Sequence, residues 1–420
     1  MQKKLDNKII IFLFFLVSIR VIFADYNVFP LDSEYHNEYT LSSTIQNLTS
    51  KYPKQVDRSV LGYTETDNKE IILLSIKKNI NIINKDKPNI LVIGQIHSEE
   101  PIGVEIALKF ANLLLDGKQK SLLNHYNFFI IPTLNPEGFS IVNNGISNYD
   151  RKNKKDTNHN GKFDLIEDGV DLNRNFSFNW NVEEKTESNN RYYAGEKPLS
   201  ENEVNALTNF LQDNQIFITF SYHSSFNGTY NEMIFFPYNH DEGKSPHFEI
   251  MTDIATRLSS KLPIDYFLKT DKRLYAVHTS KTNKMGYLRD YVYEYFQSLA
   301  FDIEVGGINQ EGQSVVFPPN SKLSEIIDKN INSLSLCLTD ISNNIHKGLL
   351  VKQGQPLPLT VVSENSSNIK KNIRTNQYGY FFIYNPQNQD KFNIFHQDNT
   401  NQNLIFNPDN HNIQIFHIEN

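Results

Sequence analysis

Between Ile71 and Ile345 the chain alternates short, almost unbroken apolar runs with longer stretches of helical period, and this alternation constrains its fold more than any other feature. Ile71–Ile76 and Ile90–Ile96 are apolar at nearly every position, the pattern of strands buried on both faces. Glu105–Leu115 reads as a helix and Asn127–Leu134 as a strand. Glu201–Leu211 is a helix introduced by Ser200, an N-cap with Glu203 three residues on. Phe217–Tyr222 follows as a strand, His247–Leu262 as a helix, Leu299–Val305 as a strand and Leu323–Ile345 as a long closing helix. Strands alternating with helices imply an α/β sheet covered by helices on both faces. In such sheets ligands gather beyond the strand ends, so the polar residues at the ends of the apolar runs are the candidates for chemistry.

The pattern changes after Ile345. Leu357–Val362, Tyr380–Tyr384, Phe392–His396 and Ile413–Ile418 are short β-type runs separated by Gln, Asn, Asp and Pro, which predicts a small all-β sandwich over 346–420. At the other end, residues 1–24 have the form of a secretory signal. Lys3, Lys4 and Lys8 precede an apolar stretch, Ile9–Ile19, and Ala24 precedes a polar segment. The stretch is short for a membrane span; an uncleaved anchor is the other reading. Residues 25–51 read as a polar lead-in, too short for a large inhibitory pro-segment, and 52–345 as the main domain. Removing 1–24 takes away four basic groups (Lys3, Lys4, Lys8, Arg20) and one acid (Asp6), moving the formal charge from −7 to −10. An acidic exported chain has no general attraction for nucleic acid. Cys337 is the only cysteine, so an internal disulfide is excluded, and its apolar helical surroundings make it packing. The expected molecule is a secreted or periplasmic monomer with no stable membrane insertion once the signal is removed.

The candidate chemistry lies at three strand ends. GQIHSEE places His97 and Glu100 three residues apart after one apolar run, and SYHSS places His223 after another. At a helix start that spacing puts an imidazole and a carboxylate on one face. A second imidazole completes a His₂Glu set, which leaves zinc an open position for water, the catalytic arrangement. Glu304 emerges from the strand Phe301–Val305, where Asp302 and Glu304 share the face opposite Phe301, Ile303 and Val305. Burial at such a strand end raises a carboxylate's pKa toward the range useful to a general base. Asp302 is the candidate for a merely ion-paired carboxylate. Between Arg151 and Asn173 lies DTNHNGKFDLIE, which fits a calcium-loop template: Asp156, Asn158, Asn160, Lys162 (by its carbonyl), Asp164 and Glu167, with Gly161 at the sharp turn. A polar surface turn is the other reading.

TLNPEGF (Thr133 to Phe139), GVDLNRNF (Gly169 to Phe176) and FDIEVGG (Phe301 to Gly307), taken in order with the two histidine motifs, resemble the zinc metallocarboxypeptidase family of the carboxypeptidase A and B type. The resemblance runs from about Tyr52 to about Ile345. It implies a mixed, largely parallel central sheet with helices on both faces, a zinc ion on His97, Glu100 and His223, and Glu304 as the base that activates water. It also implies that Arg151 polarises the scissile carbonyl and that Asn173 and Arg174 hold the substrate's terminal carboxylate, so the substrates are peptide or protein C-termini. Tyr275 is the gapped match to the family's substrate-capping tyrosine; the ungapped match is Thr282, and Tyr287 is nearby. Arg289 falls where the family sets preference for the C-terminal side chain, and an arginine there implies preference for Asp or Glu. GQPLPLTVV and IRTNQYGYFFI resemble the transthyretin-like β-sandwich that follows the catalytic domain in one branch of the family. Two other readings stand beside this one. Hydrolases of cell-wall isopeptides and deacylases of amino-acid conjugates use a similar framework, and a relative lacking activity would only bind peptides.

Overall fold

In the computed structural model the described residues are 34–145, 151–180, 187–224, 232–240, 243–263, 274–279, 286–306, 318–366, 369–386, 392–396, 399–407 and 412–418. The signal-like segment 1–24, Thr282 and the end of the FDIEVGG motif lie outside them.

The first element is one the sequence reading missed. Helix α1 (Glu38–Lys51) occupies most of the expected polar lead-in and buries Leu41, Ile45 and Leu48, a narrow stripe in an otherwise polar run. Asn37 and Thr40 close a capping box at its start. Strands β1 (Val56–Tyr63) and β2 (Glu70–Ile76) form an antiparallel ribbon. Then β3 (Asn89–Ile93), helix α2 (Ile102–Asp116), β4 (Asn127–Ile131) and the short helix α3 (Pro136–Asn143) follow. Helix α4 (Asn202–Asp213) leads into β5 (Ile218–Ser224) and β6 (Met233–Phe236), with a two-residue ribbon of β7 (Asn239–His240) and β8 (Gly243–Lys244). Helix α5 (Phe248–Ser259), β9 (Ala276–Thr279), helix α6 (Leu288–Phe296), β10 (Leu299–Val305) and the long helix α7 (Asn320–Ser342) complete the domain.

Eight strands form one mixed sheet in the order β1-β2-β4-β3-β5-β10-β6-β9. The central four, β4-β3-β5-β10, run parallel, and β2 and β6 flank them antiparallel. Every residue of β3, β4 and β5 is buried, as in strands covered on both faces. Side chains alternate between two cores. Ile90, Val92, Phe220, Tyr222, Phe301 and Ile303 face α2, α5 and α7, whereas Leu91 and Ile93 face α4 and α6. By the same alternation His223, Asp302 and Glu304 project on the α4 and α6 side.

Two boundaries differ from expectation. Helix α4 starts one residue late, at Asn202, because Ser200 does not cap it: its hydroxyl donates to Glu201 and accepts from Asn175. Helix α7 ends at Ser342, and Ile345 opens the next strand. Cys337 is buried in that helix, as its apolar neighbours required.

The C-terminal strands are β11 (Ile345–Lys352), β12 (Gln355–Pro356), β13 (Val361–Ser366), β14 (Ile369–Arg374), β15 (Tyr380–Tyr384), β16 (Phe392–His396), β17 (Asn399–Phe406) and β18 (Gln414–Ile418). They form two small sheets, one of β12, β11, β15 and β18 and one of β14, β13, β16 and β17. Leu350, Val362, Ile373, Phe381, Ile383, Phe416 and Ile418 make their own core, while Phe382 and Tyr384 belong to the larger one. Phe382 meets Phe217 at 6.2 Å between ring centres, and Arg374 donates to the last carbonyls of α4 at Leu211 and Gln212. These contacts lie at the N-terminal ends of β5 and β10, opposite the ends that carry His223 and Glu304.

Candidate metal centre and substrate cleft

His97 and Glu100 lie in the turn between β3 and α2, not on the helix, and Glu100 N–H donates to His97 O at 3.1 Å. The turn closes the same three-residue spacing that a helix would have closed. It packs tightly because Gly94 and Gly103 touch: a Cβ on Gly103 would lie 1.6 Å from Gly94 O. Asn135 of the TLNPEGF motif fixes it from the side. Its Oδ1 caps α3 through Gly138 N–H, and its Nδ2 donates to Ile96 O (3.0 Å) and Lys152 O (3.2 Å). One buried amide thus ties the His97 turn to the segment that carries Arg151.

His97 Nδ1, His223 Nδ1 and Glu100 Oε2 converge, with Glu100 Oε2 3.0 Å from each nitrogen and the nitrogens 3.2 Å apart. All three residues are buried, and among the described residues no other group of His, Cys, Asp and Glu converges in this way. Two imidazoles and a carboxylate turned inward on one point suit zinc. The outward nitrogens are held as well. His97 Nε2 meets Asp171 Oδ1 at 3.2 Å, and His223 Nε2 lies 3.2 Å from Ser221 Oγ. Such outer partners set which nitrogen faces the metal. Asp171, in the DLNRN run, went unassigned in the sequence; its signal was an acid buried within a motif.

Charge follows the same geometry. Burial opposes ionisation of Glu100, yet the two histidines outweigh it and hold its carboxyl far below the usual range. Burial also opposes a proton on His223, but Glu100 prevails and moves it up to about 9. A metal cation held by His97, Glu100 and His223 would take the place of that proton. Asp171 is driven well below its ordinary value, because Arg151, Arg174 and His97 overcome the cost of burial.

Glu304 stands beside His223 in register on adjacent parallel strands, and burial is the main reason that its carboxyl is pushed up to about 7. Arg151, half-buried, faces three carboxylates: Nε to Asp171 at 2.7 Å, Nη1 to Glu100 at 3.7 Å and Nη1 to Glu99 at 3.9 Å. Asn173 Oδ1 accepts from Leu288 N–H at 2.8 Å, which joins the DLNRN segment to the start of α6. Arg174 is stacked between Tyr287 (4.6 Å) and Tyr192 (5.4 Å), and Tyr192 also covers Arg151 at 5.3 Å. Tyr192 was not foreseen. It arrives on the 187–200 segment, whose Arg191 pairs with Glu99.

Three expectations are corrected. Tyr275 is not poised over the cleft: it is buried in the core on the other side of the sheet, with its hydroxyl reached by Gly306 N–H. Tyr287, with Tyr192, lies against the arginines instead. Arg289 is not a free cation, because Asp302 Oδ2 already meets its Nη1 at 2.6 Å; the expected attraction for an acidic side chain loses its basis. That pair is also the structural role foreseen for Asp302. The Asp156–Glu167 loop satisfies itself. Asp156 accepts from Asn160 and Gly161 N–H, Asp164 pairs with Lys162 and accepts from Asn160, and Asp168 gathers Thr157, Asn158 and Asp164 N–H. Asn158 Nδ2 lies 3.5 Å from Glu167. Asp156, Asp164 and Glu167 form no convergent carboxylate group among the described residues, and calcium has no support here.

A mixed α/β sheet thus carries a His₂Glu cluster at its strand ends, with a carboxylate, Glu304, and the arginines Arg151 and Arg174 beside it. The zinc carboxypeptidase profile matches residues 41–333, most of the chain, and the chain belongs to that family. It is 30% identical over 233 residues to human mast cell carboxypeptidase A, covering 53% of this chain and 52% of that one, and 29% identical over 231 residues to bovine carboxypeptidase B2, covering 53% and 51%. The chain thus spans about half the length of these curated relatives. Bovine thrombin-activatable fibrinolysis inhibitor, solved with a tick carboxypeptidase inhibitor, superposes with TM-score 0.61 at 23% identity over 74% of this chain and 98% of that one. Carboxypeptidase A from Helicoverpa armigera gives 0.63 at 19% identity over 74% of each. At these identities the likeness shows the fold.

Proposed function

We propose that this protein is a zinc-dependent metallocarboxypeptidase that hydrolyses the C-terminal peptide bond of peptides or proteins. The observation that carries the reading is the convergence of His97 Nδ1, His223 Nδ1 and Glu100 Oε2 within 3.2 Å of one another, with Glu304 in register beside His223. Zinc bound there supplies a Lewis acid and lowers the pKa of water. Glu304, held neutral-to-basic by burial, takes a proton from the attacking water and delivers it to the leaving amine. Arg151, fixed by Asp171, faces the charge that develops on the scissile carbonyl. Arg174, pinned between two aromatic rings beside Asn173, grips the terminal carboxylate that makes the enzyme an exopeptidase.

The protein is exported through 1–24 and acts as a monomer, and the unit over 346–420 is a transthyretin-like sandwich. Its contacts at the far ends of β5 and β10 support a scaffolding role. No described helix is long and apolar enough to cross a membrane. The test is release of the last residue from a peptide, with and without chelator. Chelation abolishes release and zinc restores it. Release indifferent to chelator, or cleavage inside a peptide whose C-terminus is amidated, sinks the proposal.

A further inference from the structure

The end of the sheet remote from the metal centre carries a second polar cluster. Ile76, the last residue of β2, pairs with Phe128, and Asn89 pairs with Asn127 across β3 and β4. One step past Ile76 the antiparallel register sets Lys77 opposite Asn127. Lys77, Asn127 and Asn89 therefore stand in a row across three adjacent strands. Alternation puts them on one face, that of Leu73, Phe129 and Leu91. All three line a cavity of about 160 Å³, far more than the roughly 15 Å³ that a single water needs. Tyr378, between β14 and β15, adds a wall from the C-terminal unit, where Asn376 Nδ2 donates to Lys85 O at 2.7 Å.

The polar groups of this cavity are unevenly satisfied. Asn89 Nδ2 donates to Gln215 O at 2.8 Å, which leaves Asn89 Oδ1 to accept from Asn127 Nδ2 at 3.1 Å. That chain fixes the Asn127 amide, because a flipped amide would face Asn89 oxygen to oxygen. Asn127 is only 4% exposed, and its Oδ1 is a buried acceptor with no donor. Across from it, Lys77 Nζ lies over the Phe129 ring at 5.8 Å and makes no hydrogen bond or ion pair among the described residues. Lys87 also lines the cavity and spends one N–H on Leu123 O at 2.7 Å. Burial holds both lysines below the usual range. Among the described residues no acidic side chain lines the cavity. Two partly desolvated cations call for an anion, and the orphaned acceptor calls for a donor.

We propose that this cavity binds a sugar acid, a hydroxylated carboxylate such as a uronic acid. The carboxylate lies on Lys77 and Lys87, a hydroxyl donates to Asn127 Oδ1, and the C–H groups of the ring lie against Tyr378. An ammonium group could also donate to Asn127, but the two lysines repel it. A neutral sugar leaves the lysines unanswered, and an inorganic oxyanion has no ring for Tyr378. The cavity lies at the opposite end of the parallel strands from His97 and His223, so a ligand held there leaves the metal centre open. The inference stands apart from the carboxypeptidase reading.

The test titrates the full chain with D-glucuronate, D-glucose, D-glucosamine and inorganic phosphate, followed by calorimetry. Glucuronate is expected to bind more tightly than each of the others by roughly tenfold or more, the scale of one hydrogen bond to a charged group. Lys77→Met keeps an apolar stem over Phe129 and removes the charge, and it should weaken glucuronate by about the same factor. Lys77→Arg should retain most of the affinity. Thermal unfolding establishes that each variant is folded. On the native chain, glucuronate should shield Lys77 from acetylation, read by mass spectrometry. Glucose binding as tightly as glucuronate overturns the proposal, because the charge is then not read. Phosphate binding as tightly overturns it as well, since any oxyanion then suffices. So does affinity undiminished in Lys77→Met, or Lys77 acetylated equally with and without glucuronate.

Discussion

His97 can offer a metal only one ring nitrogen, because Asp171 already holds the other. Asp171→Asn should therefore keep all three ligands yet weaken zinc binding by roughly 10–100-fold, the usual cost of losing an outer carboxylate. Competition with a chelator of known affinity measures it; an unchanged affinity would remove Asp171 from the centre. His223→Ala should lose the zinc outright, read by elemental analysis. Glu304→Gln should keep zinc and fold while turnover drops by about 10²–10⁴ or more. The carboxylate form is the base, so kcat/KM rises with pH as Glu304 loses its proton. Burial, opposed by the nearby His223 and Arg151, lifts that titration up to about 7, and a metal cation bound beside it would lower it. The acidic limb accordingly falls between the ordinary carboxylate value and about 7. A rate that is flat across this interval would argue that some other group takes the proton. His97, Glu100, His223 and Glu304 were legible as residues because each ends an apolar run. Tyr192, Asp171 and the Arg289–Asp302 contact were not, since the partners that place them lie between 13 (Arg289 to Asp302) and 74 (Asp171 to His97) residues away, on other elements.

At the scale of elements, the centre depends on short connections more than on helices. Asn135 serves three backbone groups, two of them on separate segments. Asn135→Ala removes a helix cap and leaves buried carbonyls unpaired, with an expected loss of about 1–3 kcal/mol. Equilibrium denaturation measures it, and a loss below about half a kcal/mol would show that the turn stands without the tie. The buried strands β3, β5 and β10 were read to within a few residues, because a short apolar run or an alternating run bounded by polar segments has few alternatives. Helix α1 was missed because three apolar residues in a polar segment are a weak period. The start of α4 was misplaced because Ser200 found tertiary partners that a local capping rule does not see.

At the scale of the molecule, the C-terminal sheets and the eight-stranded sheet share a core: Phe382 and Tyr384 pack with Phe217, and Tyr384 Oη donates to Asp253 at 2.6 Å. The two should unfold together. Calorimetry of the full chain is expected to show one transition, and Phe382→Ala should cost about 3–5 kcal/mol, as large core deletions do. Two separate transitions would show that the junction carries little energy. The amino-acid order alone determined the alternation of strands and helices, the ends at which the ligands sit, and the all-β character of the last 75 or so residues. Those features follow from periodicity and burial, which are local. Tertiary structure alone decided which ring nitrogens face inward, which tyrosine lies on the arginines, and that Arg289 arrives already paired. The reason is physical: hydrogen-bond partners and charge balance depend on distances between strands and helices brought together only by packing, and no run of neighbouring residues encodes them.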